Sequence, residues 1–381
     1  MKRHQISAVI ILLASAAVSF LAGGEMLEMR APDVFYPSAS LTRTGRLSDY
    51  CPSLKGTAND TRVYYFEGAQ SGPTALILGG THGNEPASAL AAVVILENVE
   101  VPAGRLIVLP RANESGYTCT DPMEGYPQYY SIQTPGGERR FRFGSRLTNP
   151  VHQWPDPLVY SHRPSGQQLS GFEARNLNRC YPGRPDGTLT ERTGYAIMQL
   201  IKAEKVAVAF DLHEAAPEIP IINAIVYHEK GEEIALNAIF ELEMEGINCS
   251  PERSPSNFHG LSHREWGDYT DVNPFLMETS NPIQGRLRGR TDEELVVKGV
   301  SPEYLKALRS GALKITYEPG GEPIEKRVAR HIDAFRKVVS AYNQTSSEPV
   351  ILANLPEYAD IVKNGVGAYL SPSAPGERPP Q

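Results

Sequence analysis

The sequence predicts an α/β fold with a mixed, mostly parallel sheet that is flanked by helices. The first observation is an apolar strand over 74–78, a helix over 87–97 and a second apolar strand over 105–110. A strand, a helix and a strand in this order form a parallel pair with a right-handed crossover. The second observation is the almost wholly apolar stretch 206–212, which is typical of the middle of a parallel sheet. In such sheets the ligand site lies at the carboxyl ends of the strands.

Length and charge limit the classes of protein that need to be considered. The chain has 381 residues, which is enough for one large α/β domain. Its formal net charge of −7 argues against nonspecific binding to nucleic acid, so we expect no nucleic-acid partner. No internal repeat or clear linker divides the chain, and we expect one domain over 63–345.

The first 24 residues have the pattern of a secretory signal peptide. A charged start, Lys2-Arg3-His4, precedes an apolar run over 6–21 and small residues over 22–24, where we expect cleavage. The alternative is an uncleaved membrane anchor, because the run is only slightly short of a spanning helix. We therefore predict a periplasmic or secreted protein with no stable membrane insertion after the signal is removed.

The cysteines exclude one class of metal site and leave two structural readings open. Cys51, Cys119, Cys180 and Cys249 are widely spaced and contain no Cys-x-x-Cys pair, so a cysteine-rich zinc module is excluded. Export makes disulfides possible, and buried free thiols are the alternative.

The segment before the domain and a long insertion within it lack periodicity. Residues 25–62 mix Pro, Ser and Thr with isolated apolar positions, which predicts an extended N-terminal segment. Residues 111–174 are rich in Pro, Gly, Tyr and Arg and predict a loop insertion over the active-site face. We expect its arginines to be available to anionic ligands; the alternative is a solvated basic surface loop.

Regular structure resumes after the insertion. A helix is expected from Thr190, its cap, to Ala203. Residues 258–270 are polar and predict a loop. The C-terminal segment 346–381 ends in a Pro-rich tail from residue 371 that is expected to be disordered. The remaining predicted elements are a strand in 219–227, a helix over 232–246, a short strand over 274–277 and C-terminal helices over 291–308 and 324–342.

Metal-ligating side chains follow the predicted strands. His82 and Glu85 follow the strand that ends in Gly79-Gly80, and His213 follows the strand over 206–212. A catalytic zinc takes three ligands of this kind and keeps one position open. We therefore predict one zinc ion held by these three residues. Glu278, at the end of the strand over 274–277, is the candidate for proton transfer.

Other chemistry-bearing residues are given lesser roles. Glu214 follows a metal ligand directly and is interpreted as a supporting residue. His259 and His263 have i, i+4 spacing, but Gly260 and nearby prolines argue against a metal-binding helix, so they are interpreted as loop residues. The motifs of serine hydrolases, phosphate-binding loops and thermolysin-type zinc proteases do not occur.

Three motifs carry a resemblance to a known family. They are Gly80-Thr81-His82-Gly83-Asn84-Glu85, Asn176-Leu177-Asn178-Arg179 and Asp211-Leu212-His213. In this order they resemble the succinylglutamate desuccinylase/aspartoacylase family, which belongs with the zinc carboxypeptidase-like hydrolases. The resemblance implies a zinc carboxypeptidase-like fold, zinc on His82, Glu85 and His213, and Glu278 as the catalytic glutamate.

The resemblance also implies how the substrate is bound. Asn178 and Arg179 match the pair that holds the substrate carboxylate in the family, a task that suits a planar guanidinium. Asn176 stands where the family commonly has Asp. Arg175 is the candidate for the carbonyl-polarising arginine that the family places upstream of this motif.

These predictions lead to one functional hypothesis and two alternatives. The hypothesis is a zinc-dependent amidohydrolase of the N-acyl amino acid deacylase type, whose small-molecule or peptide substrate bears a carboxylate next to the scissile amide. The first alternative is an exported zinc carboxypeptidase that acts on peptides or cell-wall peptides. The second is a noncatalytic zinc-binding protein with the same fold.

Overall fold

One sheet organises the chain in the computed structural model, which describes residues 3–120, 127–313 and 317–372. The described strands are β1 Arg43–Arg46, β2 Arg62–Glu67, β3 Gln70–Leu78, β4 Glu100–Leu109, β5 Tyr129–Thr134, β6 Gly137–Arg142, β7 Val159–Ser161, β8 Gln168–Ser170, β9 Val206–Ala215, β10 Ala224–Tyr227, β11 Ser250–Arg253, β12 Asn273–Ser280 and β13 Ile351–Ala353. The described helices are α1 Arg3–Arg30, α2 Pro86–Asn98, α3 Leu189–Ala203, α4 Glu232–Met244, α5 Ser262–Tyr269, α6 Glu293–Lys298, α7 Pro302–Arg309, α8 Ile324–Thr345 and α9 Tyr358–Asn364.

The main sheet has a parallel centre with an antiparallel strand on each side of it. Within the described ranges eight of its nine strands follow the order β1-β2-β4-β3-β9-β12-β10-β11, and the ninth, β13, pairs with β4. The four central strands β4, β3, β9 and β12 are mutually parallel. Strands β2 and β10 join this centre in antiparallel orientation. The prediction of a mixed, mostly parallel sheet flanked by helices is therefore confirmed.

Apolar clusters cover both faces of this sheet. Successive side chains of a strand point to opposite faces. Ala75 and Ile77 of β3 accordingly pack in one cluster with α2 and α8, whereas Leu76 and Leu78 pack in a second cluster with α3. Helix α2 begins at Pro86, a residue favoured at the first helical position, and is apolar all round because it lies between the sheet and α8.

The N-terminal segment contains more regular structure than the sequence predicted. Helix α1 continues to Arg30, β1 pairs antiparallel with β2, and two 3-10 turns carry the buried residues Leu47 and Leu54. Short elements of three or four residues leave too little periodicity to recognise in a sequence. The segment is thus an edge of the sheet and not simply an extended stretch.

Helix α1 is long and apolar enough over Arg3–Glu28 to cross a membrane, judged by length and composition. None of this window is buried against the rest of the protein. A signal sequence near the N-terminus meets the same test, so the helix is compatible with the predicted signal peptide.

The insertion over 111–174 contains two hairpins, β5–β6 and β7–β8, that were predicted as loop. The expectation that its arginines are available to ligands is wrong for three of them. Arg111 and Arg142 both pair with Asp33, and Arg139 pairs with Glu97; all three guanidinium groups are buried. Their carboxylate partners lie far away in the sequence, so no local pattern could indicate the pairs.

Asp33 gives a prediction about stability and its dependence on pH. Its carboxylate is 7% exposed, and although burial opposes this, Arg111 and Arg142 hold its pKa below the ordinary value. Asp33→Asn removes the negative charge that the buried guanidinium groups of Arg111 and Arg142 share. We therefore expect the free energy of unfolding at neutral pH to fall by about 3 kcal/mol. Because the folded pKa is depressed, the contribution is present above the unfolded pKa of about 3.9 and is lost as the pH falls below it.

Chemical denaturation of the two proteins between neutral and acid pH measures this difference. Asp271→Asn, at an exposed position, is the matched control and should leave stability unchanged. Equal stability of the Asp33 and Asp271 variants at neutral pH would contradict the assignment.

Three further predictions are corrected or resolved by the structure. The predicted loop over 258–270 contains α5, a helix of only 8 residues that are mostly polar and yet buried, so no apolar run marks it in the sequence. Helix α3 is capped by Thr188, with a capping box to Glu191, and not by Thr190. All four cysteines lie in the described part of the chain and are free thiols. The predicted disordered tail lies outside the described residues from position 373 onward.

Candidate metal centre

The turn between β3 and α2 brings two side chains to the carboxyl edge of the sheet. Gly80 has a φ of +67°, and a Cβ at this position would lie 2.8 Å from the carbonyl oxygen of Pro110. Glycine is the residue that tolerates both conditions. The chain then passes through His82 to Glu85, which directly precedes the first residue of α2. The glycine turn therefore determines where both side chains lie.

His82, Glu85 and His213 form one buried cluster. The Nδ1 atom of His82 lies 2.7 Å from Oε1 of Glu85, and the Nδ1 atom of His213 lies 3.0 Å from Oε2 of the same carboxylate. Their potential ligand atoms all lie within 4.8 Å of one another, and each side chain is 1% exposed. The structure thus brings together the three residues that the sequence analysis selected.

The outer nitrogens of both imidazoles contact oxygen acceptors. Nε2 of His82 lies 2.9 Å from the amide oxygen of Asn176, and Nε2 of His213 lies 2.9 Å from the carboxylate of Asp211. A hydrogen bond donated by Nε2 leaves Nδ1 with the lone pair that a metal requires, and such outer partners are usual at metal sites. Asn176 therefore orients the ring of His82 by accepting a hydrogen bond, as the carboxylate of Asp211 does for His213.

This donor set fits a catalytic zinc ion. Two imidazole nitrogens and one carboxylate are ligands that zinc takes in catalytic sites, where the fourth position stays open. Burial lowers the pKa of His82 to about 4, which favours its neutral, ligating form. Burial also opposes charge on His213, but Asp211 and Glu85 raise the pKa of this residue well above its ordinary value.

Glu278 lies beside the cluster on β12. Its backbone pairs in register with that of His213 on β9, so the two side chains occupy neighbouring strand ends. Its Oε2 atom is buried and accepts no hydrogen bond from the described residues. Burial raises the pKa of the carboxyl group to about 8, and the negative charge of Glu85 acts in the same direction. A carboxyl group in this environment suits proton transfer near neutral pH.

Arg146 is the site residue that the sequence analysis did not single out. Its Nη1 atom lies 3.2 Å from Oε1 of Glu85, and its side chain is 31% exposed. The loop that carries it is fixed by two backbone hydrogen bonds, from Gly144 to the Gly83 carbonyl and from Gly83 to the Ser145 carbonyl. In the sequence it was one of the several arginines of the insertion over 111–174.

Arg175, the predicted carbonyl-polarising arginine, is engaged elsewhere. Its Nε and Nη2 atoms bind the carboxylate of Asp156 at 2.7 and 2.9 Å, and Nη1 donates to the carbonyl of Thr148 at 2.8 Å. All three guanidinium nitrogens therefore bind residues of the insertion. The described contacts place Arg146, and not Arg175, against the ligand cluster.

Arg179 and Asn178 lie in a 3-10 turn that follows Asn176. The Arg179 side chain is 18% exposed, packs over the ring of Phe258 and has a carboxylate, that of Glu173, only at 4.0 Å. Burial and the nearby charge of Arg146 lower its pKa to about 10, so the guanidinium is still charged at neutral pH. Asn178 is held by a hydrogen bond from the Ser262 amide to its side-chain oxygen.

The remaining candidates lie outside the ligand cluster. Glu214 is fully buried, pairs with Arg327 at 2.8 Å and accepts a hydrogen bond from the Ala87 amide at the start of α2. These contacts agree with a supporting role. The interpretation of His263 as a loop residue is wrong, because it lies in α5, where it contacts Ser254 inside the protein. His259 precedes this helix and contacts the carboxylate of Glu265 in it.

Comparison with known proteins gave matches only among solved structures. No family model and no curated protein matches the chain. The matches include a succinylglutamate desuccinylase from Silicibacter sp. TM1040, with 15% identity, a TM-score of 0.41 and coverage of 78% of this chain and 63% of that one. An aspartoacylase family protein from Mesorhizobium loti has 18% identity, a TM-score of 0.35 and coverage of 64% and 62%.

A third match is the cell shape determinant protein Csd4 from Helicobacter pylori, with 13% identity, a TM-score of 0.45 and coverage of 80% of this chain and 59% of that one. The chain therefore spans less than two thirds of the length of each of these proteins. The first match is named a succinylglutamate desuccinylase and the second an aspartoacylase family protein, and these are the two names in the family that the motifs of this chain resemble.

Proposed function

We propose that this protein is a zinc-dependent amidohydrolase that cleaves an amide bond next to a carboxylate, in the manner of an N-acyl amino acid deacylase. One observation carries the proposal: a buried His–Glu–His cluster lies beside Glu278, whose Oε2 has no hydrogen-bond partner in the described part of the chain. A metal site with an adjacent unpaired carboxyl group has the two components that hydrolysis of an amide requires.

His82, Glu85 and His213 would hold the ion. A zinc ion held there would polarise the scissile carbonyl and lower the pKa of a water molecule. Glu278 takes one proton from the attacking water and delivers it to the nitrogen of the leaving amine. The water oxygen bonds to the carbonyl carbon, the carbon–nitrogen bond breaks, and the second proton of the water stays on the new carboxyl group. The products are a carboxylic acid and an amine, which exchange this proton to give a carboxylate and an ammonium group.

Two arginines have separate tasks in this proposal. Arg146 lies against the ligand cluster, and we assign it to the oxygen of the scissile carbonyl, where negative charge develops. Arg179 is mostly buried with only a distant carboxylate partner, and we assign it to the substrate carboxylate together with Asn178. This division replaces Arg175 by Arg146 as the carbonyl-polarising residue.

Arg146 in the insertion and Arg175 directly after it provide a test of that replacement. We expect Arg146→Ala to lower kcat by about 100-fold, because a donor to the developing charge is lost. Arg175→Ala releases Asp156 and should lower stability with a much smaller effect on kcat. Steady-state kinetics, zinc content and unfolding midpoints of both variants measure this. A larger loss of kcat in the Arg175 variant at equal zinc content would reverse the assignment.

A substrate panel tests the proposed function itself. The zinc-loaded protein is assayed on N-acyl amino acids, on the corresponding N-acyl amino acid amides and on short peptides, with and without a chelator. Chelator-sensitive cleavage of the acids and not of their amides is the expected result, because the amides lack the carboxylate for Arg179. Faster cleavage of peptides than of acyl amino acids would favour the carboxypeptidase alternative. Absence of turnover on the whole panel would favour the noncatalytic one.

A further inference from the structure

An exposed apolar surface projects from the insertion. We name residues 150–159 the apolar tip. Its side chains Val151, Trp154 and Leu158 are 71%, 74% and 99% exposed, and its three prolines are exposed as well. Large contiguous exposed apolar groups are uncommon on soluble proteins and mark surfaces of interaction.

The apolar tip contains little charge. Asp156 is its only acidic or basic residue apart from His152, and its carboxylate is neutralised by the bidentate contact with Arg175. His152 donates to or accepts from Ser115 at 2.8 Å, and burial together with Arg30 lowers its pKa, which favours the neutral imidazole. The surface can therefore leave water without exposing an unpaired ion to an apolar medium.

The apolar tip lies on the same side of the protein as the end of α1. Ser115, the partner of His152, belongs to the 3-10 turn Glu114–Thr118, which the end of α1 contacts. Arg30 ends α1 and is close enough to act on His152 electrostatically. A helix with the length and composition to cross a membrane thus ends beside an exposed surface with a tryptophan.

We propose that, with α1 retained as the uncleaved membrane anchor that is the alternative to a signal peptide, the apolar tip docks the catalytic domain onto the surface of a lipid bilayer. Trp154 and Leu158 then lie at the boundary between headgroups and acyl chains, which is the depth that tryptophan side chains prefer. The loop that carries Arg146, whose side chain contacts the candidate metal centre, leads directly into the tip at residue 150, so docking holds this loop close to the membrane. The proposal does not depend on the chemistry assigned to that centre.

The two tryptophans of the chain allow a direct test. Trp154 is exposed, whereas Trp266 is 0% exposed inside the protein. The full chain is reconstituted into phosphatidylcholine vesicles whose acyl chains are brominated near the headgroup, and its emission is compared with that in unbrominated vesicles. We expect bromine to quench most of the Trp154 emission, and we expect Trp154→Phe, which retains only Trp266, to show no quenching.

A matched control separates docking from simple exposure. Phe240 on α4 is 63% exposed, so the variant Trp154→Phe/Phe240→Trp carries an exposed tryptophan away from the tip and should not be quenched. Leu158→Asp should reduce the quenching of Trp154 because it adds an unpaired charge at the proposed depth. Unquenched Trp154 emission in the full chain would overturn the proposal. A concentration-dependent blue shift without vesicles, combined with no quenching in them, would identify a second copy as the occupant and would also overturn it.

Discussion

Glu278→Gln is expected to retain its zinc and to lose about 1000-fold in kcat, within the range that general acid–base catalysis contributes. The amide is isosteric with the carboxylate but cannot accept the proton of the water molecule. Glu278 is not a member of the ligand cluster, so the zinc content of the variant should equal that of the wild type. Kinetics on the best substrate of the panel and metal analysis of the same sample provide the measurement.

A second glutamate on a nearby strand controls for the loss of a carboxylate. Glu252 is half-buried on the edge strand β11. In the sheet order, β12 and β10 lie between β11 and β9, the strand that carries His213. Glu252→Gln should retain wild-type kcat and zinc. If Glu278→Gln retained full turnover with full zinc occupancy, Glu278 would not be the proton carrier.

His213→Ala is expected to abolish stoichiometric zinc binding and with it the activity. The substitution removes one of three ligand side chains and leaves the carboxylates of Asp211 and Glu85 without the imidazole between them. In the wild type, zinc at 100 times its dissociation constant should raise the free energy of unfolding by about 2.7 kcal/mol, and a chelator should remove this gain. The variant should show no such response.

Thermal unfolding with zinc and with a chelator measures this response, and metal analysis gives the stoichiometry. His228→Asn is the control, because His228 contacts Asp268 and lies outside the ligand cluster. It should retain both zinc and the zinc-dependent stabilisation. Stoichiometric zinc in His213→Ala, or a wild type that binds none after metal-replete purification, would refute the ligand assignment.

The carboxyl ends of the parallel strands could be predicted from the sequence. An apolar run that ends in glycines and a histidine is a local signal, because the burial of a strand and the turn after it depend on adjacent residues. For this reason the sequence alone indicated β3, α2, β4 and β9 and the three side chains that the fold brings together. Helix α5 gave no such signal, since its polar residues are buried by contacts such as that of Arg264 with Glu229.

The contacts of the arginines, in contrast, could not be predicted from adjacent residues. Nothing in the sequence shows which of Arg142, Arg146 and Arg175 meets the metal ligands, and the resemblance to the family suggested Arg175. Arg142 pairs with Asp33 from the segment after α1, and Arg175 pairs with Asp156, whereas Arg146 lies against Glu85. Each choice depends on a carboxylate that the fold supplies from another part of the chain.

The amino-acid sequence by itself determined the fold class and the chemical identity of the cluster His82, Glu85 and His213, because strand ends and glycine turns are encoded by neighbouring residues. Only the tertiary structure decided which arginine meets this cluster and which acceptors orient its imidazoles. Asn176 and Asp211 contact His82 and His213 through their outer nitrogens at 2.9 Å, and distances of this kind are set by the packing of separate elements against one another.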